Sequence, residues 1–197
     1  MCGLSRPCDI LTANELKPDY VGFVFASGSK RHVSAQLAAR LKCLLDPAIK
    51  AVGVFVNESP EIVAQLLDHD TIDAAQLHGN EDEAYIAKLR KLTDKPIIKA
   101  FRIASADDMR LVDRCSADYV LLDSGAGTGT VFDWSLANFC SKPFFLAGGL
   151  DAENVAQAVA RLHPFAVDVS SGIESAGVKD KMKMAAFVTT VRKGDKT

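Results

Sequence analysis

Short apolar runs recur along this chain at a nearly constant spacing. The runs are continuously apolar instead of alternating, which is typical of parallel strands that are covered on both faces. Taken as strands, they end at Cys2, Phe25, Val56, His78, Phe101, Asp123, Gly148 and Ser170. Successive ends lie 22 to 31 residues apart, so each interval has room for a helix and its two connecting loops.

Helix-length segments separate the runs. Several of them open on a residue whose side-chain oxygen can cap free backbone amides, namely Ser34, Ser59, Ser105, Asp133 and Asp151. Eight strand–helix units of similar length predict an α/β fold, a (β/α)₈ TIM barrel that forms a single domain over residues 1–197. A doubly wound open sheet is the alternative, but eight strands in a chain this short favour closure. Only Met1 precedes Cys2, so we expect strand one to be shortened.

The charges are nearly balanced, and this excludes several classes of function. The chain carries 23 basic and 25 acidic residues, so it has no strongly basic face for nucleic acid or an anionic membrane. No apolar run is long enough for a transmembrane helix, and we expect no signal peptide. The five cysteines are odd in number and include no CxxC pair. They favour a reducing cytoplasm over a disulfide framework or a zinc site.

Catalytic groups of a (β/α)₈ barrel lie at the carboxyl ends of the strands and in the loops that follow. The candidate site residues at these positions are Cys2, Arg31, Gln76, His78, Asp123, Gly148, Gly149, Asp168, Ser170, Ser171 and Gly172. The sequence offers no metal site and no redox cofactor site, so we expect neither a metal nor a cofactor. Gln76 and His78 are polar strand-end residues that indicate no particular reaction by themselves.

Two of these residues could transfer protons. Cys2 is followed by Gly3 at a strand end, where a thiolate could act as a base if cationic groups lower its pKa; a free cysteine is more often a small structural residue. Asp123 ends the apolar run YVLLD. An apolar surround could keep its carboxyl protonated as an acid, or the carboxylate could simply hydrogen-bond the next turn. Arg31 could clamp a carboxylate or remain a solvated loop cation.

Glycine and serine residues follow the last two predicted strands. Gly148 and Gly149 follow the seventh strand, and the run 170–172, Ser-Ser-Gly, follows the eighth. Barrels of this kind commonly bind phosphate at that place through backbone amides, so the two runs together predict a phosphate site. The segment GAGTGT (125–130) lacks the GxGxxG spacing of a nucleotide-binding loop, and we interpret it as a lid over the barrel mouth.

These residues resemble the phosphoribosylanthranilate isomerase family of tryptophan biosynthesis, a family of (β/α)₈ enzymes. The matching stretches keep their order from the first residues to the last strand. They are CGL (2–4), VGFVF (21–25), SKRHVS (29–34), VGVFVN (52–57), QLHG (76–79), LLDS (121–124), GTGTVFDW (127–134), AGGL (147–150), ENV (153–155) and PFAVDVSSGIE (164–174). Members of the family normally carry several residues before the cysteine, so either the written start is incomplete or strand one is frayed.

The resemblance implies a reaction and a role for each candidate residue. The reaction is an Amadori rearrangement of N-(5-phosphoribosyl)anthranilate to 1-(2-carboxyphenylamino)-1-deoxyribulose 5-phosphate, by acid–base catalysis without a cofactor. Asp123 matches the general acid, Cys2 matches the general base, and Arg31 matches the residue that holds the anthranilate carboxylate. The phosphate-binding positions are Gly148, Gly149, Ser170, Ser171 and Gly172, and the other substrate-binding positions are Gln76, His78 and Asp168.

Other functions fit parts of the same pattern. Related phosphate-binding barrels include the imidazole-forming isomerase of histidine synthesis and indole-glycerol-phosphate synthase, but the Cys2 and Asp123 pair argues against both. A catalytically impaired barrel that only binds phosphosugars is a further alternative. For the isomerase we expect a small-molecule phosphosugar–anthranilate substrate, no nucleic acid or membrane partner, a monomer and a cytoplasmic location.

Overall fold

The structure is a computed structural model that describes residues 1–123, residue 137 and residues 140–194. The predicted lid at 125–130 and the helix expected after Asp133 lie outside the described residues. The chain divides into two compact units, Met1–Lys99 with Ser116–Asp118, and Ala100–Cys115 with Tyr119–Thr197. In the described part of the chain, no helix combines the length and the apolar content that crossing a bilayer requires.

The first unit is built from parallel strands that alternate with helices. Its elements are α1 (Pro7–Leu16), β1 (Tyr20–Val24), α2 (Ala35–Leu44), β2 (Lys50–Phe55), α3 (Pro60–Asp68), β3 (Ala74–Leu77) and α4 (Glu83–Arg90), with the first part of β4 (Ile97–Arg102). Strands β1 to β4 pair in chain order, each parallel to the next. Both faces of these strands are buried; Phe23, Leu77 and Ile97 are fully covered, as the continuously apolar runs predict.

The second unit continues the same alternation. After the remainder of β4 it contains α5 (Ala106–Arg114), β5 (Tyr119–Asp123), β6 (Phe144–Ala147), α6 (Val155–Leu162), β7 (Ala166–Val167), a 3₁₀ turn (Ser171–Ile173), the short strands β8 (Glu174–Ser175) and β9 (Val178–Lys179), and α7 (Lys181–Gly194). Strands β5, β6 and β7 are parallel neighbours, whereas β8 and β9 form a separate antiparallel pair. Seven of the predicted strands are therefore present, although β7 has only two residues.

The first predicted strand, at Cys2, is reduced to a single parallel bridge between Cys2 and Gly22 of β1. The Gly22 N–H donates to the carbonyl of Met1, and the Gly3 N–H donates to the carbonyl of Gly22, both at 2.9 Å. The first strand is thus shortened, as predicted, but its residues are fixed in place. With this bridge and β1 to β7, the chain has the strand and helix order of the (β/α)₈ class.

The polar residues that open the predicted helices act as caps in two ways. Ser34 and Ser59 accept hydrogen bonds from backbone amides in the first turns of α2 and α3, as predicted. Ser105 is also the N-cap of α5, as predicted, and it forms a capping box in which Asp108 Oδ2 accepts from the N–H and the hydroxyl of Ser105. The expected start at Asp151 is wrong: Asp151 caps a preceding turn, and α6 begins four residues later at Val155.

Candidate active site

Cys2 lies in the first unit, half-exposed, where its backbone is paired with Gly22. A Cβ atom added to Gly22 would lie 2.8 Å from Cys2 Sγ and 3.1 Å from Cys2 Cα. Real side chains essentially never come that close, so residue 22 must be glycine if the Cys2 side chain is to pass over β1. Gly22 has no role that the sequence alone predicts, because it meets Cys2 only through strand pairing.

Arg31 lies close to Gly3, the residue that follows Cys2. It is half-buried in the loop after β1, and its N–H donates to Ser29 Oγ at 3.1 Å. A Cβ atom on Gly3 would lie 2.4 Å from Arg31 Cδ, and Gly3 has a φ of +78°. Glycine at this position therefore meets two requirements, the left-handed backbone and the space for the Arg31 side chain. The structure thus places Arg31, the predicted carboxylate clamp, against Gly3, the residue that follows the predicted base Cys2.

Gln76 and His78 are joined directly. Gln76 on β3 is buried, His78 follows the end of that strand, and Gln76 Nε2 donates to His78 Nδ1 at 3.0 Å. The His78 N–H donates to the carbonyl of Phe55 at 2.8 Å, which fixes the residue against β2. The two side chains share a face of the strand because they are two residues apart.

A buried ion pair that the sequence analysis missed supports the loop after His78. Lys99 Nζ on β4 donates to Glu81 Oε2 at 2.9 Å and to the carbonyl of Gly79 at 2.7 Å. The Glu81 carboxylate also accepts from the backbone amides of Asn57 and Gly79. Burial by itself would raise the pKa of the Glu81 carboxyl, but the hydrogen bonds from Lys99 and Asn57 outweigh it and hold the pKa below its usual value.

The second unit holds the predicted acid. Asp123 is the last residue of β5 and is only 7% exposed, and its carbonyl accepts from the Ile103 N–H at 3.0 Å. Asp168, half-buried just after β7, is held by a hydrogen bond from its N–H to the carbonyl of Leu146 at 2.8 Å.

The two runs predicted to bind phosphate lie in loops that meet at Gly172 and Leu150. Gly148 and Gly149 both have positive φ, at 90° and 65°, and Asn154 Nδ2 donates to the Gly149 carbonyl at 2.9 Å. A Cβ atom added to Gly172 would lie 2.0 Å from the carbonyl oxygen of Leu150. Only glycine allows two backbones to approach so closely. The loops after β6 and β7 therefore meet where Gly172 packs against Leu150.

A second buried ion pair, also missed by the sequence analysis, lies beneath the Ser170–Gly172 run. Lys179 Nζ donates to Glu174 Oε1 at 2.6 Å and to the carbonyl of Ser170 at 2.9 Å. Lysine and glutamate are common and mostly exposed, and no local pattern marks the two that become buried.

Comparison with known proteins agrees with this arrangement. The family model of N-(5'-phosphoribosyl)anthranilate isomerase matches residues 1–190. A protein of that name from Endomicrobium trichonymphae is 44% identical, over 98% of this chain and 96% of its own length.

Solved structures agree as well. The crystal structure of phosphoribosyl anthranilate isomerase from Thermotoga maritima has a TM-score of 0.89 at 36% identity, covering 98% of this chain and 97% of its own. Another structure of the enzyme, in complex with reduced 1-(o-carboxyphenylamino)-1-deoxyribulose 5-phosphate, has a TM-score of 0.85 at 36% identity, with 98% and 96% covered. The (β/α)₈ prediction is therefore confirmed, and the chain belongs to the N-(5'-phosphoribosyl)anthranilate isomerase family.

Proposed function

We propose that Cys2 and Asp123 carry out the proton transfers of the isomerisation that this family performs in tryptophan biosynthesis. Asp123 gives a proton to the ring oxygen of N-(5-phosphoribosyl)anthranilate, and the ring opens to a Schiff base. The Cys2 thiolate then removes the proton from C2′, which gives an enolamine. Tautomerisation of the enolamine yields the ketone 1-(2-carboxyphenylamino)-1-deoxyribulose 5-phosphate. The steps transfer protons and break the bond between C1′ and the ring oxygen, all within one molecule, so they need no redox partner.

The pairing of Cys2 with Gly22 is the observation that carries this proposal. A base must be held in place to abstract a proton from carbon efficiently. Here both neighbours of Cys2 are hydrogen-bonded to Gly22. The side-chain space above β1 exists only because residue 22 is glycine.

The remaining candidate residues are proposed to bind the substrate. Arg31 would hold the anthranilate carboxylate, since a guanidinium presents two parallel donors to a carboxylate. The main-chain groups of Gly148, Gly149 and the run 170–172 would hold the phosphate. Gln76, His78 and Asp168 would contact the sugar and the linking nitrogen. We further propose that the chain works in the cytoplasm as a monomer, on a small-molecule substrate alone.

Replacing either proton-transfer residue tests the proposal. We expect Cys2→Ala and Asp123→Asn each to lower kcat by roughly 10²- to 10⁴-fold, the range that general acid–base groups contribute, with little change in the unfolding midpoint. Disappearance of freshly generated phosphoribosylanthranilate, followed by fluorescence, measures kcat.

Matched controls separate loss of chemistry from general damage. Cys43→Ala removes an exposed cysteine from α2, and Asp107→Asn removes an exposed carboxylate from α5; both should leave kcat unchanged. Near-normal turnover in Cys2→Ala or in Asp123→Asn would show that the acid and base have been wrongly assigned.

A further inference from the structure

Asn57 lies just beyond the end of β2 and has a left-handed backbone, with a φ of 54°. In the described part of the chain, the other non-glycine residues with positive φ are Lys17, Asp70, His163 and Ala176. The first three follow the helices α1, α3 and α6, and the fourth lies in the turn between β8 and β9, where this conformation is usual. Asn57 instead follows a strand of the barrel at its carboxyl end, where the fold carries its chemistry.

Two polar atoms of Asn57 are hydrogen-bonded to the loop that follows β3. Its N–H donates to Glu81 Oε1 at 2.7 Å, and its Oδ1 accepts from the Asn80 N–H at 2.7 Å. A Cβ atom added to Gly79 would lie 2.5 Å from Asn57 Oδ1 and 2.9 Å from Asn57 N, so only glycine at residue 79 lets the two loops lie this close. Asparagine tolerates a left-handed backbone better than most residues, and these contacts offset the remaining cost.

The contacts with Asn57 belong to a segment in which three consecutive backbone amides are hydrogen-bonded. The His78 N–H donates to the carbonyl of Phe55 at 2.8 Å. The Gly79 N–H donates to Glu81 Oε2 at 2.8 Å, and the next amide donates to Asn57 Oδ1. The His78 side chain therefore extends from a backbone that cannot shift without breaking one of these bonds. Hydrogen bonds of this kind around a binding residue hold its polar atoms in one position.

Of the three acceptors, Asn57 Oδ1 is the one that can be removed without disturbing the interior. The carbonyl of Phe55 belongs to the main chain. Removing the Glu81 carboxylate would leave its partner Lys99 as a buried, unpaired cation. Asn57 and Asn80 are both exposed, so water can take the place of the lost oxygen.

We propose that Asn57 is a positioning residue for substrate binding, and that it acts through His78. The proposal rests on the assignment of His78 to the substrate under the proposed function. In this role Asn57 holds the loop after β3 through the Asn80 amide, so that the imidazole of His78 meets the substrate from a fixed backbone. The alternative is a purely structural link between the loops after β2 and β3, without effect on the substrate.

Steady-state kinetics of Asn57→Gly separates the two roles. Glycine adopts the left-handed backbone without steric cost and keeps the N–H that donates to Glu81, so the variant loses the acceptor for the Asn80 amide while the turn remains. We expect the KM for phosphoribosylanthranilate to rise about fivefold, the effect of losing one ordinary hydrogen bond to the substrate. We expect kcat to stay within about threefold of the parent, because His78 is assigned to binding and not to proton transfer. The Ki for inorganic phosphate, which is assigned to the loops after β6 and β7, should not change.

Two further variants make the result specific. His78→Ala should raise KM by at least as much, and adding Asn57→Gly to it should cause no further rise, because both changes act on the same imidazole. The matched control is Asn14→Gly on α1. Asn14 Oδ1 accepts from the Asp46 N–H at 2.8 Å, in the loop that leads into β2 and not in the one that follows it. This control should lower the unfolding midpoint at least as much as Asn57→Gly while leaving KM unchanged.

The outcomes distinguish the inference from the function on which it rests. If His78→Ala leaves KM unchanged, His78 does not bind the substrate, and both the assignment and the inference fail. If His78→Ala raises KM but Asn57→Gly does not, the assignment stands and Asn57 is only structural. An equal rise of KM in Asn14→Gly would also overturn the inference, because loss of stability alone would then explain the effect. A further rise in the double variant would do the same, since Asn57 would then act by a route other than His78.

Discussion

Cys2 keeps its place because residue 22 has no side chain. The bridge between Cys2 and Gly22 brings the two backbones together, and the thiol occupies the space where a Cβ would otherwise lie. Steric exclusion rises steeply below van der Waals distance, so even one methyl group here must displace the Cys2 thiol, the proposed base. Gly22, which has no reactive side chain, thus determines where the Cys2 thiol can lie.

Gly22→Ala tests this dependence. We expect kcat to fall at least tenfold, because a displacement of the base by about 1 Å can reduce the rate a hundredfold, while substrate KM changes less. Steady-state kinetics on the purified variant measures both constants. The matched control is Gly28→Ala in the loop after β1, where an added Cβ has no atom within 4 Å. Equal loss of kcat in the two variants would contradict the steric argument.

At the scale of elements, Glu81 connects the ends of three neighbouring strands. It accepts from Asn57 after β2, from Gly79 after β3 and from Lys99 on β4. Its side chain is only 1% exposed, so these hydrogen bonds are shielded from water and strong. The carboxylate therefore holds the loops that follow β2 and β3. The second of these loops begins at His78, one of the proposed substrate-binding residues.

Glu81→Gln should destabilise the protein in a pH-dependent manner. At pH 7 we expect a loss of about 3–5 kcal/mol, because Lys99 is left as a buried, unpaired cation. The folded-state pKa of Glu81 is lowered, so its stabilisation is complete above the ordinary glutamate pKa and is lost as the pH falls through the lowered value. Urea unfolding of the parent and the variant at pH 7 and at acidic pH measures this effect. The difference between their free energies of unfolding should be smaller at acidic pH than at pH 7.

The control for this prediction is an ion pair of the same type at the surface. Lys88 Nζ and Glu61 Oε1 are 2.7 Å apart, and more than half of each side chain is exposed. Glu61→Gln should therefore leave the free energy of unfolding unchanged. The prediction would be wrong if the free energies of unfolding of the parent and of Glu81→Gln differed as much at acidic pH as at pH 7. The altered shape of the side chain, and not its lost charge, would then account for the destabilisation.

At the scale of the whole molecule, binding and catalysis should be separable. The candidate residues are distributed over both compact units, and a ligand that binds only the folded chain stabilises it by mass action. The reduced product analogue bound by one relative is a suitable probe. At a hundredfold excess over its Kd it should add about 2.7 kcal/mol, which raises Tm by roughly 5–10 °C for a chain of this size.

The Cys2→Ala variant should show nearly the same shift in Tm with this analogue, because the proposed base is not needed for binding. Arg31→Ala should lose most of the shift, because the carboxylate clamp is removed. Thermal unfolding with and without the analogue measures both effects. Loss of the shift in Cys2→Ala would mean that residue 2 holds the substrate, and the separation of roles proposed here would be wrong.

Local patterns in the sequence were sufficient to determine the order of elements. Continuous apolar runs predicted seven strands that the structure contains, because a strand buried on both faces must be apolar throughout. Ser34 and Ser59 predicted two helix starts through their capping oxygens. Ser105 likewise predicted the start of α5, where it forms a capping box with Asp108. Asp151 predicted a start too early, since its carboxylate accepts from the amides of the turn before α6.

The residues that could carry the chemistry were also visible in the sequence, because cysteine, arginine and aspartate at strand ends stand out against apolar runs. What only the tertiary structure decided is how these residues are supported. Gly22 beneath Cys2, Leu150 against Gly172, and the buried pairs of Lys99 with Glu81 and Lys179 with Glu174 involve groups that meet through strand pairing and loop packing. Contacts of this kind depend on which backbones lie side by side, and that is set by the packing of the whole chain and not by the preference of any local segment.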